Sequence, residues 1–276
     1  MSRSRKKKTN KQLKTYLAIL APVLAVLVLL ALILTFGRFA SSRPPVDTEP
    51  SEPTVQETTS YVAPEFAYEN GYLTCTNDDT RLGIDVSEHQ KSVDWDQVKA
   101  AGVDFVMIRI GYRGYTEGRL YMDSYFDQHF RGAQEADLDV GVYFFSQATT
   151  PAEARAEALF LLTLLNWRKL DMGIAYDWEF VSGDNRTSNM DGRTMTDCAN
   201  AFCEIIAAAG HTPMVYFNQH QADNYYRLEE LDHYDFWFAQ YTDEPDFPHR
   251  VKMWQYTDEG TVPGIPVNVD INLYWP

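Results

Sequence analysis

Cysteine is scarce in this chain of 276 residues, which has only Cys75, Cys198 and Cys203. None of their spacings, with each other or with histidine, is that of a zinc site, and no metal is expected. Cys198 and Cys203 stand five apart on a segment read as helical, so they point in different directions and are poorly placed to bridge. At most one bridge can involve Cys75, and an odd thiol remains. The glycine-rich turn that would cradle a nucleotide phosphate is missing after the first strand, so no cofactor is expected. Acidic residues are missing up to Arg43, where nine Lys or Arg meet no Asp or Glu. Taking that +9 from the net −15 leaves −24 for the rest of the chain, and nucleic acid is not an expected partner.

What the amino-terminal segment does contain is an apolar run. Tyr16 to Phe36 is 21 residues without a charge, mostly Leu, Ala, Val and Ile, and long enough to span a bilayer. A secretory leader has the same basic-then-apolar order, but its apolar core is shorter and ends in a small-residue cleavage site. Ala40-Ser41-Ser42 leaves cleavage as an alternative, while the length of the run favours a retained transmembrane helix. The positive-inside rule then makes residues 1–15 a basic cytoplasmic tail and puts everything after Arg38 outside. The expected location is therefore a bacterial cell membrane, crossed once. Residues 37–80 read as a linker and lead-in. Ser41 to about Ser60 is a Pro-, Ser-, Thr- and Glu-rich tether, whereas Tyr61 to Thr80 is more aromatic and either lies on the folded domain or extends the tether.

From Arg81 to the end, short apolar runs alternate with helical ones, which is the pattern of parallel strands with crossover helices. Strands are expected at 81–87, 105–111, 140–146, 174–180 and 213–217, with helices over 93–101, 123–136, 151–165 and 193–209. Three more short strands follow at 236–240, 252–256 and 267–271. About five strand-helix units and three further strands predict an α/β, irregular TIM-like barrel over residues 81–276. A doubly wound open sheet is the alternative, and the helix-poor ending disfavours it.

Functional groups of such barrels gather at the carboxyl ends of the strands. Reading those ends in order gives Asp85; Arg109 and Tyr112; Tyr143 and Phe145; Asp177 and Glu179; Tyr216; Tyr241; Trp254, Gln255 and Tyr256; and Asp270. Asp177 and Glu179 sit at i and i+2, so on an extended strand they face the same way, about 7 Å apart along the backbone. Like charges that close push each other's pKa values apart, letting one group stay protonated while the other stays ionised. Aromatic faces pack on pyranose rings, and acids break glycosidic bonds. The set describes a sugar cleft.

GIDVSEHQ with VDW after it, RIGYRG, GVYFFS, the YDWE pair, WFAQY and MWQYTDEGTVPGIPVNVDINLY together resemble glycoside hydrolase family 25, the Chalaropsis-type lysozymes, over about Arg81 to Trp275. Lys91 departs from the pattern, standing where a glycine commonly follows the H-Q or W-Q pair. The resemblance implies a muramidase that cuts the β-1,4 bond between N-acetylmuramic acid and N-acetylglucosamine in peptidoglycan glycan strands. Glu179 matches the family's general acid, Asp177 its partner, Asp85 the acid of the first strand and Asp270 that of the final D-x-N motif. Arg109, Tyr112, Tyr143, Phe145, Tyr216, Tyr241, Trp254 and Gln255 are the expected substrate-binding residues. Because Asp177 and Glu179 project from one strand in one direction, they are ill placed to flank a sugar ring, and assistance by the substrate's 2-acetamido group is the expected route. In that route Asp85 and Asp270 tune the pair through hydrogen bonds. A glycan-binding module that does not cut, and a chitinase-like hydrolase, are the competing readings.

Overall fold

The computed structural model describes residues 63–247 and 251–276, so the expected cytoplasmic tail, transmembrane helix and most of the linker lie outside the described residues. The described chain begins with a hairpin, β1 (Phe66–Glu69) and β2 (Tyr72–Cys75). Asn70 and Gly71 both have positive φ and form its turn, as suits a two-residue hairpin connection. Five strand-helix units follow: β3 (Arg81–Val86) with α1 (Trp95–Ala100), β4 (Phe105–Arg113) with α2 (Phe126–Glu135), β6 (Asp139–Ser146) with α3 (Pro151–Leu165), β7 (Ile174–Trp178) with α4 (Gly192–Ala208), and β8 (Pro213–Asn218) with the short α5 (Gln219–Asn224). A short strand, β5 (Leu120–Met122), interrupts the second unit and extends β4 as a hairpin. Three strands end the chain: β9 (Asp235–Ala239), β10 (Met253–Gly260) and β11 (Val269–Tyr274).

The eight strands β3, β4 and β6–β11 form a closed ring, since β3 pairs with β4 on one side and with β11 on the other. Closure decides for the barrel over the open sheet. β11 is antiparallel to both its neighbours and is the one ring strand that runs backwards. Its amino-terminal end therefore opens at the mouth where the other strands have their carboxyl ends. This corrects the reading of Asp270 as a carboxyl-end residue: it lies at the start of β11, directly across from Asp85 in the ladder.

Alternation along each strand divides the apolar side chains into two layers. One, between strands and helices, includes Ile84, Ile108, Val142, Tyr176, Phe217 and Phe238. The other fills the inside of the barrel with Phe105, Met107, Tyr143, Met172, Met214, Tyr216, Trp237 and Met253. Glycines across from the bulky inner groups make the second layer possible. A β-carbon on Gly83 would lie 2.1 Å from the Phe105 ring, one on Gly141 2.4 Å from the Met107 sulfur, and one on Gly173 2.9 Å from Met214.

The helices start where side chains cap them. Thr150 accepts from the Glu153 amide just ahead of Pro151, and Asp191 accepts from the Thr194 amide. The amino-terminal hairpin lies against the outside of β10: the Phe66 ring is 5.1 Å from that of Trp254, the Leu73 amide donates to the Tyr256 hydroxyl, and Leu73 and Cys75 are buried. All three cysteines are free and buried, Cys198 and Cys203 both beneath α4. Lys91, the departure from the family pattern, takes φ +54. The position demands the left-handed region that glycine enters freely, and lysine occupies it at a cost of about 1 kcal/mol.

The inner layer yields a stability prediction. Gly83→Ala should lower the urea midpoint by an amount equivalent to about 1–3 kcal/mol, and adding Phe105→Leu should recover part of the loss. An unchanged midpoint for Gly83→Ala would contradict the packing described.

Candidate active site

A cleft of about 850 Å³ opens at the carboxyl-end mouth of the barrel. Of the twelve residues proposed from sequence, eleven line it: Asp85, Arg109, Tyr112, Tyr143, Phe145, Asp177, Glu179, Tyr216, Tyr241, Gln255 and Asp270. Trp254 does not. It is fully buried on the outer face of β10 between Phe66 and Tyr256, with its indole N–H on the Gln240 carbonyl. Its neighbour Gln255 faces inward, so by alternation Trp254 must face out.

β7 ends at Trp178, two residues earlier than expected, and Glu179 begins the loop beyond it. Two buried amides hold that exit in place. Gln147 Nε2 donates to the Glu179 carbonyl at 2.7 Å, and Gln221 Nε2 donates to the Trp178 carbonyl at 2.5 Å. The loop is tied further by the Thr187 hydroxyl on Gln147 and by Arg186 on Glu153. The result keeps Asp177 and Glu179 in one cleft and within hydrogen-bonding reach of each other. Asp177 Oδ1 is buried and meets no donor from the rest of the protein.

All four cleft acids hold their protons more tightly than usual. Burial pushes Asp177 well up, and the charges of Glu179 and Asp85 add to it. Burial also raises Glu179, again with help from Asp85. Asp270 is pushed up to about 10 by burial and by the Asp85 carboxylate across the ladder. Burial raises Asp85 as well, against the pull of hydrogen bonds from Asn272, Gln255 and Asp270. The sequence suggested hydrogen bonds from Asp85 and Asp270 to the pair on β7. The structure instead bonds Asp85 to Gln255 and Asn272 and sets it opposite Asp270 in the ladder, and Asp85 acts on Asp177 and Glu179 through its charge.

Arg109 faces the cleft beside a register shift in β4, its Nε on Asp123 at 2.8 Å and its Nη2 on Glu88 at 3.2 Å. These bonds tie the end of β4 to the loop after β3. One wall of the cleft is aromatic: Tyr112 stacks on Tyr121 at 5.3 Å, with Tyr115 half-exposed nearby. The floor is Tyr143 and Tyr216, each edge-on to Trp237. Trp237 was not in the sequence-derived set because only strand ends were read, and it sits in the middle of β9. Alternation along Phe236-Trp237-Phe238 carried the signal, since one member must face inward. Glu88, Asp123, Gln147 and Gln221 were also missed, and they are recognisable only once distant segments meet; Asn272 stood in the D-x-N motif with no role of its own assigned. Among the described residues no cluster of His, Cys, Asp or Glu is arranged to hold a metal ion.

Residues 84–265 match the family model Glycosyl hydrolases family 25. The autolytic lysozyme of Clostridium acetobutylicum is 29% identical over 197 residues, covering 70% of this chain and 55% of that protein. The chain thus spans little more than half the length of that curated relative. Among solved structures, the modular autolysin LytC from Streptococcus pneumoniae, in complex with a synthetic peptidoglycan ligand, gives a TM-score of 0.63 at 24% identity, covering 76% of this chain and 52% of that one. A family 25 glycosyl hydrolase from Bacillus anthracis gives 0.60 at 20% identity, covering 71% and 89%. At these identities the structural likeness speaks for the fold.

The raised acids predict how stability varies with pH. A carboxyl whose folded pKa lies above its unfolded value stabilises the fold fully below the unfolded value, and that contribution is lost as pH rises through the folded one. For Asp270 the window runs from about pH 4 to about 10. For Glu157, buried behind the cleft with Arg113 and Ser146 and pushed up to about 7 by burial, it closes near pH 7. Calorimetry should show Tm falling from pH 4 to pH 9, and falling less in Asp270→Asn, which is neutral throughout. Parallel curves for the two proteins would contradict the assignment.

Proposed function

The chain belongs to glycosyl hydrolases family 25, and from that premise we propose that it is a peptidoglycan hydrolase acting at the β-1,4 bond between N-acetylmuramic acid and N-acetylglucosamine. The observation that carries the reading is the Asp177–Glu179 pair: two carboxyls in hydrogen-bonding reach, both raised by burial, over a cleft with aromatic walls. Two such groups share one proton, because both cannot be charged so close together. Asp177 Oδ1 is an acceptor without a donor. A substrate acetamido N–H donating to Asp177 from the cleft stabilises it as the carboxylate, and the shared proton moves to Glu179.

Glu179 then protonates the leaving glycosidic oxygen as its bond to the anomeric carbon breaks. The acetamido oxygen closes on that carbon, and Asp177 balances the positive charge on the ring so formed. Glu179, now ionised, takes a proton from the water that opens the ring and returns to its starting state. The negative field of Asp85 holds the proton in the pair between turnovers. The aromatic groups of wall and floor, Tyr112, Tyr121, Tyr143 and Trp237, offer faces and edges to the pyranose rings. The same reading places the enzyme at the outer face of a bacterial membrane, held by residues 16–36, with the uncharged run and its basic flank as support.

Purified peptidoglycan should yield fragments whose new reducing end is N-acetylmuramic acid, with the β-anomer formed first by proton NMR. Net inversion would rule out acetamido assistance, and N-acetylglucosamine reducing ends would move the bond. Glu179→Gln should lower kcat/KM by about 10²-fold or more. Undiminished wall-degrading activity in that variant would sink the assignment. Protease treatment of intact protoplasts should release the activity into the medium. Retention of all activity inside would overturn the proposed topology.

A further inference from the structure

Asp85 and Asp270 face each other directly across the β3–β11 ladder, and each carboxyl acts on the other. Two carboxyls so close and so poorly solvated do not both stay charged, and nothing in the pairing of two aspartates says which keeps its proton. Two buried amides break the tie. Asn272 Nδ2 and Gln255 Nε2 reach the same Asp85 oxygen, Oδ2, at 2.9 and 2.8 Å.

A buried amide can sit either way round unless its neighbours decide, and for Asn272 they do. Asn272 is fully buried, and its oxygen accepts from the indole N–H of Trp237 at 2.8 Å. An indole nitrogen can only donate, so the Asn272 oxygen must face Trp237 and its NH₂ must face Asp85. Gln255 lies with its oxygen towards two hydroxyls, Tyr216 at 3.0 Å and Tyr241 at 3.1 Å, and its NH₂ towards Asp85; a hydroxyl can donate or accept, so it is the Trp237 indole, acting through Asn272, that fixes the polarity of the group. Asp85 Oδ2 thus receives two N–H donors, which favours the carboxylate form of Asp85 over the protonated one.

We propose that Asn272, held in one orientation by the Trp237 indole, and Gln255, bonded to the Tyr216 and Tyr241 hydroxyls, are positioning residues that make Asp85 the ionised member and Asp270 the proton-holding member of the cross-strand acid pair. The consequence reaches the chemistry through charge. Burial raises both Asp177 and Glu179 and the Asp85 charge adds to it, so the amides on Asp85 contribute to how firmly the acid pair keeps its proton. The other charged groups facing this region are Asp177 and Glu179 from β7, Asp258 from β10 beside Asp270, and Arg109 from β4, whose positive charge acts on Asp177. None of them donates to Asp85 Oδ2. The proposal rests on the hydrolase reading for its catalytic meaning, but the protonation order it asserts is a property of the protein alone.

The test follows the carboxyl signals of Asp85 and Asp270 by carbon-13 NMR across pH in the full chain labelled at aspartate, with single Asn replacements for assignment. Asp85 should ionise well below Asp270. In Asn272→Leu and in Gln255→Leu the Asp85 transition should move up by about one pH unit, and the acid limb of kcat/KM should move the same way. Tyr241 stands half-exposed on the rim, so Tyr241→Phe removes one donor to Gln255 without opening the core. It should move Asp85 in the same direction by less, and it decides the matter alone if the Leu variants do not fold. An Asp85 transition that stays put in the folded variants, with activity falling evenly at every pH, would overturn the proposal and leave the amides as packing. If the wild type cleaves no glycan at any pH while Asp85 still moves as stated, the function reading fails and the protonation order stands.

Discussion

Four carboxyl groups converge on one poorly solvated mouth, and they cannot all be charged there. Most of what is distinctive in the site follows from how the protons are divided among them. The backward run of β11 brings Asp270 to the mouth opposite Asp85, where one proton is held between two strands. The exit of β7 brings Asp177 and Glu179 together, where a second is held between neighbours in sequence. Asp85 links the two pairs, because it is the charge that each of the other three acids feels.

Holding these groups close requires a rigid base, and the barrel provides it in two ways. Its interior is filled rather than hollow: glycines at 83, 141 and 173 admit Phe105, Met107 and Met214 beneath the cleft floor. Amides hold the groups next to the acids, with Gln147 and Gln221 on the β7 exit and Gln255 and Asn272 on Asp85, while ion pairs of Arg109 and Arg186 tie the loops around them. A neutral amide donates to a carboxylate or a carbonyl without adding a further cation to a cleft that already holds Arg109, itself paired with Asp123 and Glu88. A lysine in such a place would hold the acids ionised and leave no proton for a leaving group.

Much of this arrangement was legible in the sequence, for reasons that can be named. The alternation of apolar runs with helices, and Pro151 behind Thr150, marked the strand-helix units because local chemistry decides them. The acids stood out because charge at the end of an apolar strand is costly to bury without a role. What could not be read depended on distance along the chain. The direction of β11 is set by pairing with β3, far back in sequence, and Asn272 gains its meaning only beside Trp237 and Asp85, 35 and 187 residues away. Trp254 was misplaced for a local reason: its neighbour Gln255 takes the inward position, and the outer face of β10 is covered by a hairpin, β1–β2, that composition left open between tether and domain.

The division of protons is most directly tested by neutron diffraction from crystals of the deuterium-exchanged protein at neutral pH. The account predicts a deuteron on Asp270 directed at Asp85, none on Asp85 Oδ2, and a single deuteron between Asp177 and Glu179. Four bare carboxylates, or a deuteron on Asp85 with Asp270 ionised, would contradict it.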